Sequence, residues 1–488
     1  MRFAMNRLND HGELRGMVTS AAIALNIALA GCVTPVPRSL PTELQPTSFA
    51  VATGARAQAW PQEHWWESFG DPQLTALIVR AREGNRDLAA AAARVLEADA
   101  QTRIVRSALF PDIAGQGNFG RSGCGGESCL RFGRGQSLGL TFNATYELDF
   151  WGVARGNLRA ARERLKSARF ARQTVALTLT ANVARQYLNV LSLRRRIAIA
   201  NDDIAAIGGN LEAIDVRVKA GATSGLDRAR EEAQIEAVKA QLPVLETQER
   251  QALYSLAVFL GQVPEGFDVQ SQDLDAIRAP LVGPGLPADL LLRRPDVAQA
   301  EADLASAHAN LDVARAAFLP QISLTGSGGF ASTAIQTLLQ GANFGYSYGA
   351  SLLQAIFDGG KLAGQKHLAQ ATEREFVADY QGAVLSAYAD VESALTEVAS
   401  FHSAEDHLRR EIDAARRAFE ISQLQYRQGV ADLLTILQAQ QTLFAAEDQL
   451  AQITLANRQA VVHLYEALGG GWIEDPSDRT QAAQRSPG

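Results

Sequence analysis

The sequence predicts a mainly α-helical protein that also carries a membrane β-barrel, with each chain built as an internal duplication. Three observations lead there. Long stretches without proline place apolar residues about 3.5 positions apart, and a few segments alternate strictly between apolar and polar residues. Both features then occur twice, about 208 positions apart.

The chain has 488 residues, 47% of them hydrophobic and 20% charged, which describes a folded protein. Its net charge of −7 excludes nucleic acid as a main partner, because no basic excess exists to neutralise phosphates.

At the N-terminus, Arg2, Arg7 and Arg15 precede an apolar run from Met17 to Cys32. The run is too short to span a bilayer and has the form of an export signal. It closes in Leu29-Ala30-Gly31-Cys32, which resembles the bacterial lipobox, in which the cysteine thiol takes the lipid. An ordinary signal with a chance cysteine is the alternative. Val33 follows, and the absence of Asp there favours the outer membrane. The other two cysteines, Cys124 and Cys129 in "SGCGGESC", most simply close a small disulfide loop in an exported protein; a metal pair is the alternative, without further ligands nearby.

The duplication follows from four matches in order. Leu109-Phe110-Pro111-Asp112-Ile113 is echoed by Phe318-Leu319-Pro320-Gln321-Ile322, and Phe150 with Gly152 by Phe357 with Gly359. Val218-Lys219-Ala220-Gly221 matches Tyr426-Arg427-Gln428-Gly429, and Leu260-Gly261 matches Leu468-Gly469. Each unit opens with a helix, such as Leu74 to Leu109, followed by two strands around a Gly-rich loop and two very long helices. The chain thus divides into a lipoprotein signal at 1–31, a lipidated anchor segment at 32–70, a first repeat at 71–262, a linker at 263–285, a second repeat at 286–470 and a tail at 471–488.

The long helices rest on proline usage. None occurs from Gln321 to Asp475, and Pro243 is the only one between Asp112 and Val263. Val384, Tyr388, Val391, Leu395 and Val398 step by four and three, as do Ile204, Ile207, Leu211, Ile214 and Val218. That spacing predicts a coiled-coil seam with partner helices along its length.

The strands rest on alternation. Leu138, Leu140, Phe142, Ala144, Tyr146 and Leu148 interleave with Ser137, Gly139, Thr141, Asn143, Thr145, Glu147 and Asp149. Phe344, Tyr346, Tyr348, Ala350 and Leu352 do the same in the second unit. With the helices committed to one another, Leu138, Leu140, Phe142, Tyr146 and Leu148 are expected to face lipid, with Tyr146, Phe150 and Trp151 at the membrane interface. An open sheet edge in a bilayer leaves backbone groups unpaired. Membrane barrels need at least about eight strands and one chain supplies four, so several copies must close the circle. A soluble sheet packed on helices is the competing expectation.

No motif indicates catalysis. Gly115-Gln116-Gly117-Asn118-Phe119-Gly120 fits a dinucleotide pattern but lies in a strand rather than opening a helix. His402 and His407 stand five apart on a helix, the wrong spacing for shared metal ligation, and Arg194-Arg195-Arg196 is expected to be a hydrated surface. The turns at Ala220-Gly221-Ala222 and Gln428-Gly429-Val430 are the candidate functional points, where glycine permits a tight reversal.

Further stretches carry a resemblance. "NRDLAAAAARV" from Asn85, "LLLRRPDVAQAEADLASAHANLDVARAAFLPQISL" from Leu290, and "YRQGVADLLTILQAQQTLFAAEDQLAQ" with "YEALGGGW" resemble the TolC-like outer-membrane efflux factors. They are most similar to the lipoprotein, NodT-type branch that serves resistance-nodulation-division (RND) pumps. The resemblance spans Cys32 to Trp472. It implies a homotrimer with a twelve-stranded barrel in the outer membrane and a helical tunnel across the periplasm. It also implies a periplasmic adaptor and an inner-membrane RND transporter as partners, and no cofactor beyond the diacylglycerol and acyl chain on Cys32. The implied function is passive conduction of drugs or other small solutes. The helix turns would then form the adaptor-docking tip and gate, drawing on Gly221, Asp227, Tyr426, Gly429, Asp432, Thr435 and Gln438. The family often places Asp one to three turns after the glycine; here Asp227 fits, its counterpart is Thr435, with Gln438 one turn on, and Asp432 is the nearby acid. The rival readings are an exit duct for secreted proteins or metals, and a non-channel coiled-coil scaffold lipoprotein. All three methionines fall in the signal, so a methionine relay for soft metals has no support.

Overall fold

The computed structural model describes residues 62–123, 135–220, 224–270, 274–278, 280 and 293–472. Cys32, Cys124, Cys129, Gly221, the signal at 1–31, most of the tail and part of the linker lie outside the described residues.

The first unit contains α1 (Pro72–Gly84), α2 (Arg86–Ser107), β1 (Asp112–Ser122), β2 (Gly135–Leu148), α3 (Val153–Lys219) and α4 (Gly225–Phe259). The second contains α5 (Pro295–Ala316), β3 (Gln321–Ser332), β4 (Phe344–Leu353), α6 (Lys361–Arg427) and α7 (Leu433–Ala467). The lengths agree pair by pair: α2 and α5 have 22 residues each, α3 and α6 have 67, α4 and α7 have 35. At about 1.5 Å per residue, α3 and α6 each run about 100 Å.

The leading helix is broken, where the sequence predicted one continuous segment. Asn85 is extended, and its side-chain oxygen accepts from the Leu88 amide at 2.9 Å to cap α2. Its amide nitrogen donates to the Phe259 carbonyl at 3.0 Å. The end of α4 therefore docks into the break. This explains the repeated Leu-Gly: a Cβ on Gly261 would collide with the Gly84 carbonyl oxygen, and one on Gly469 with that of Arg293 at the entrance to α5. Both glycines close a Schellman turn, with Gln262 donating to Ala257 and Gly470 to Tyr465.

The repeated Phe-x-Gly marks the start of each long helix. The Asp149 carboxylate accepts from the Ala154 and Arg155 amides at 3.0 Å, and Asp358 accepts from Gly360 and Leu362 at 2.9 and 2.8 Å. A carboxylate thus meets the positive end of each helix.

The core gathers where a 3-10 turn, Trp65–Phe69, and α1 pack on the middle of α3. Tyr187 is fully buried and donates to Asp71, which also caps α1. Trp65 stacks on Tyr465 of α7 at 4.8 Å. The Arg194–Arg196 run departs from expectation. Arg194 donates to Glu249, Asp268 and the Val269 carbonyl, and Arg196 to Asp448, so two of the three fasten α3 to its neighbours. Long flexible arginine side chains reach partners that sequence spacing does not reveal.

Candidate functional site: a bare sheet face and the helix turns

The four strands form one antiparallel sheet in the order β1-β2-β3-β4. Register decides its faces. Phe142 pairs with Gly115 and Gly328, Leu140 with Gly117 and Phe330, Tyr146 with Leu324, and Leu148 with Ile322. Phe330 pairs in turn with Phe344, Leu324 with Ala350, and Ile322 with Leu352. Every apolar set therefore falls on one face, because side chains at paired positions point the same way. Leu138, Leu140, Phe142, Tyr146 and Leu148 are brought together there.

The opposite face carries Gln116, Asn118, Thr141, Asn143, Thr325, Ser327 and Ser347. Ser323 bonds Ser351 at 2.7 Å and Ser327 bonds Ser347 at 2.8 Å across β3 and β4.

Among the described residues no α-helix packs along either face. Phe142 is 57% exposed and Tyr348 85% exposed. Contiguous apolar area on this scale belongs against lipid or another chain. The expectation of a soluble sheet covered by helices fails on this point. Strands β1 and β4 are edges, each with unpaired backbone groups. Among the described residues no helix is long and apolar enough to cross a membrane. The Trp151 indole donates to the Pro320 carbonyl at 2.6 Å and ties the two halves together. Phe150 and Phe357, the repeated pair, are both exposed.

At the α6–α7 turn Gly429 has φ 74°, Val430 donates to the Gln425 carbonyl, and Gly429 to that of Tyr426. Asp432 then caps α7, accepting from the Thr435 amide at 3.0 Å and its hydroxyl at 2.6 Å. The Thr435 hydroxyl and amide together hold its carboxyl below the usual range. Asp432 and Thr435 are therefore partners in a cap, while Gln438 lies exposed one turn on.

Asp227 stands in the first turn of α4, 3.9 Å from Arg230, whose charge also acts on Asp432. The Arg217 guanidinium sits 4.5 Å over the Tyr426 ring, joining the ends of α3 and α6. Arg228 meets Asp215 at 3.0 Å and joins α4 to α3. Sequence reasoning missed these arginines; their only signal is a place within three turns of a reversal. The glycine motif lies in β1 and pairs with β2. His402 and His407 are exposed, and no group of metal-ligating residues occurs among the described residues.

Comparison with known proteins agrees with this geometry. Residues 77–262 and 286–470 match the outer membrane efflux protein family. The chain is 36% identical over 437 residues to the pyoverdine export outer membrane protein OpmQ of Pseudomonas aeruginosa, covering 88% of this chain and 92% of that one. It is 28% identical to the cation efflux system protein CusC of Escherichia coli, over 91% and 97% of the two chains. The outer-membrane channel OprN superposes with a TM-score of 0.82 at 28% identity, covering 90% of this chain and 99% of that one. The open state of the Neisseria gonorrhoeae MtrE outer membrane channel also gives 0.82 at 28%, over 90% and 98%. The chain belongs to the outer membrane efflux protein family and is an outer-membrane efflux channel.

Proposed function

We propose that the chain acts as the exit duct of a tripartite efflux system, passing small solutes passively from a periplasmic adaptor and an inner-membrane RND pump to the exterior. The observation that carries this reading is the four-stranded sheet with a bare apolar face and two free edges. Three copies, edge to edge, give a closed twelve-stranded wall in which Leu138, Leu140, Phe142, Tyr146 and Leu148 meet lipid and the Ser-Thr-Asn face meets water. Lipidation at Cys32 anchors each copy, a reading supported by a relative described as a probable outer membrane lipoprotein, SilC.

Relatives are named for pyoverdine, cations and toluene, which supports a duct whose cargo is chosen upstream. Few charges line the polar sheet face, and that favours the same view. The helix turns serve as adaptor contact and gate. Arg217 with Tyr426 and Arg228 with Asp215 hold the ends closed, and an adaptor opens them only by binding the splayed state more tightly.

The purified full-length protein tests this reading. It should run as heat-modifiable, detergent-resistant trimers and conduct weakly in planar bilayers. Conductance should rise when Arg217→Ala or Tyr426→Ala removes the contact. Buffer-soluble monomers after loss of Cys32 would instead indicate a scaffold.

A further inference from the structure

Most of the α3 seam is apolar, including Ile207 and Ile214 toward its turn, but one buried position is a carboxylate. Asp203 is 6% exposed in the core stripe with Ile207 and Ile214. Asn210 donates to the Gln440 side chain of α7 at 3.0 Å, and Gln440 donates to Asp203 at 3.1 Å. Glu231 of α4 is fully buried beside them; the Asn210 amide, already donating to Gln440, lies near its carboxylate, but neither oxygen receives a hydrogen bond of good geometry. Glu231 is closed in by its own chain. The charges acting on the pair are acidic: Glu447 of α7 acts on Asp203, and Asp203 acts on Glu231. Glu447 is itself bound to Arg416 of α6 at 2.9 Å.

A second buried carboxylate shows the contrast. Glu405 of α6 accepts from Arg409 and Asn457 at 2.6 Å and meets Arg458 at 3.4 Å. That carboxylate is charged and paired. An unpartnered one in the same kind of environment takes a proton instead.

We propose that Asp203 and Glu231, bridged by Asn210 and Gln440, form a proton-operated latch that packs α3, α4 and α7 together within about 25 Å of the helix turns. Glu231 and Gln440 each lie about 10 Å inside their helix starts at about 1.5 Å per residue. Protonated, the two carboxyls sit in the core as neutral groups. Deprotonated, they place two like charges in a dry seam and loosen the ends of the helices.

The titration has a definite sign. Burial pushes Asp203 up to about 6, with Gln440 opposing and Glu447 adding to the rise. Burial also raises Glu231, with the nearby Asn210 amide opposing and the Asp203 charge adding. The folded chain then holds protons that the unfolded chain releases. The stability contributed is fully present below the ordinary value of 3.8 for Asp203 and is lost as pH rises through about 6.

The experiment is thermal unfolding of the detergent-solubilised full-length protein from about pH 4 to about pH 8, spanning the carboxylate range and the raised value. The wild-type midpoint should fall through that window. Asp203→Asn and Glu231→Gln should each flatten the fall and raise the midpoint at the alkaline end. An unchanged slope in both variants overturns the latch. If the variants do not fold, infrared titration of the wild type decides: a protonated-carboxyl C=O stretch should persist above about pH 5 and vanish near neutrality. Absence of that band above about pH 5 overturns the proposal. Neither readout depends on conduction, so loss of the channel reading and loss of the latch are distinguishable.

Discussion

Phe142→Arg tests the sheet at its centre. β2 is paired on both sides, and Phe142 lies mid-strand, opposite Gly115 in β1 and Gly328 in β3. Gly115 leaves room for the ring, which lies against it on the apolar face and is 57% exposed. If this face meets lipid, an arginine there costs about 2–4 kcal/mol near the bilayer midplane. Three copies in one barrel would raise the total to about 6–12 kcal/mol, comparable to the whole stability of an ordinary domain. Thr141→Arg, one residue away on the wet face, should cost no more than about 1 kcal/mol. The assay is the fraction of protein recovered as heat-modifiable trimer in outer membranes, followed by denaturant titration of what assembles. Phe142→Arg should abolish or strongly reduce assembly while Thr141→Arg leaves it intact. Equal damage from both, or greater damage from Thr141→Arg, would refute the assignment of faces.

Gly261→Ala should destabilise by more than about 2 kcal/mol, since the new methyl meets the Gly84 carbonyl and φ is 68°. Gly429→Ala, with φ 74° and open space around it, should lose only about 1–2 kcal/mol; calorimetry compares the two. Asp432→Ala should lower the unfolding midpoint through loss of the α7 cap, and Asp432→Asn should restore most of it in the same measurement. Glu405 gives a pH test of opposite sign to Asp203. Burial works to raise its pKa, but the Asn457 amide and the Arg409 and Arg458 guanidiniums outweigh this and hold it below the ordinary value of 4.5. Its contribution is therefore present above about 4.5 and lost as pH falls through the depressed value. Asn457→Ala should remove about 1–3 kcal/mol and move that acid loss to higher pH in thermal unfolding.

Elements with a strong period were legible. The 67-residue α3 and α6 follow from absent proline and four-three spacing, and the strands from alternation. Pairing register added what alternation alone cannot supply, because it depends on contacts between segments far apart in sequence. The break at Gly84–Asn85 was invisible for the same reason, being made by Phe259, Leu260 and Gly261. The seam was legible: Ile207 and Ile214 are buried and Ile204 packs against the same core. Asp203, which shares their stripe, was not. An apolar pattern search passes over a carboxylate in a core position. At the turns, Gly429 was legible from its residue type. The pairing of Asp432 with Thr435 and of Arg217 with Tyr426 required three-dimensional neighbours.

The connection between β2 and β3 has a kinetic consequence. The hairpin pairs β1–β2 and β3–β4 each close a short loop, whereas joining β2 to β3 closes one that holds residues 149–320 and with them all of α3, α4 and α5. Loop-closure entropy and high sequence separation slow such a step. The helices can settle from local contacts first and carry the two hairpins side by side. The ribbon that enters the bilayer is then the last part of the chain to form, and until it does the cell must shield two greasy hairpins from every other edge they could join.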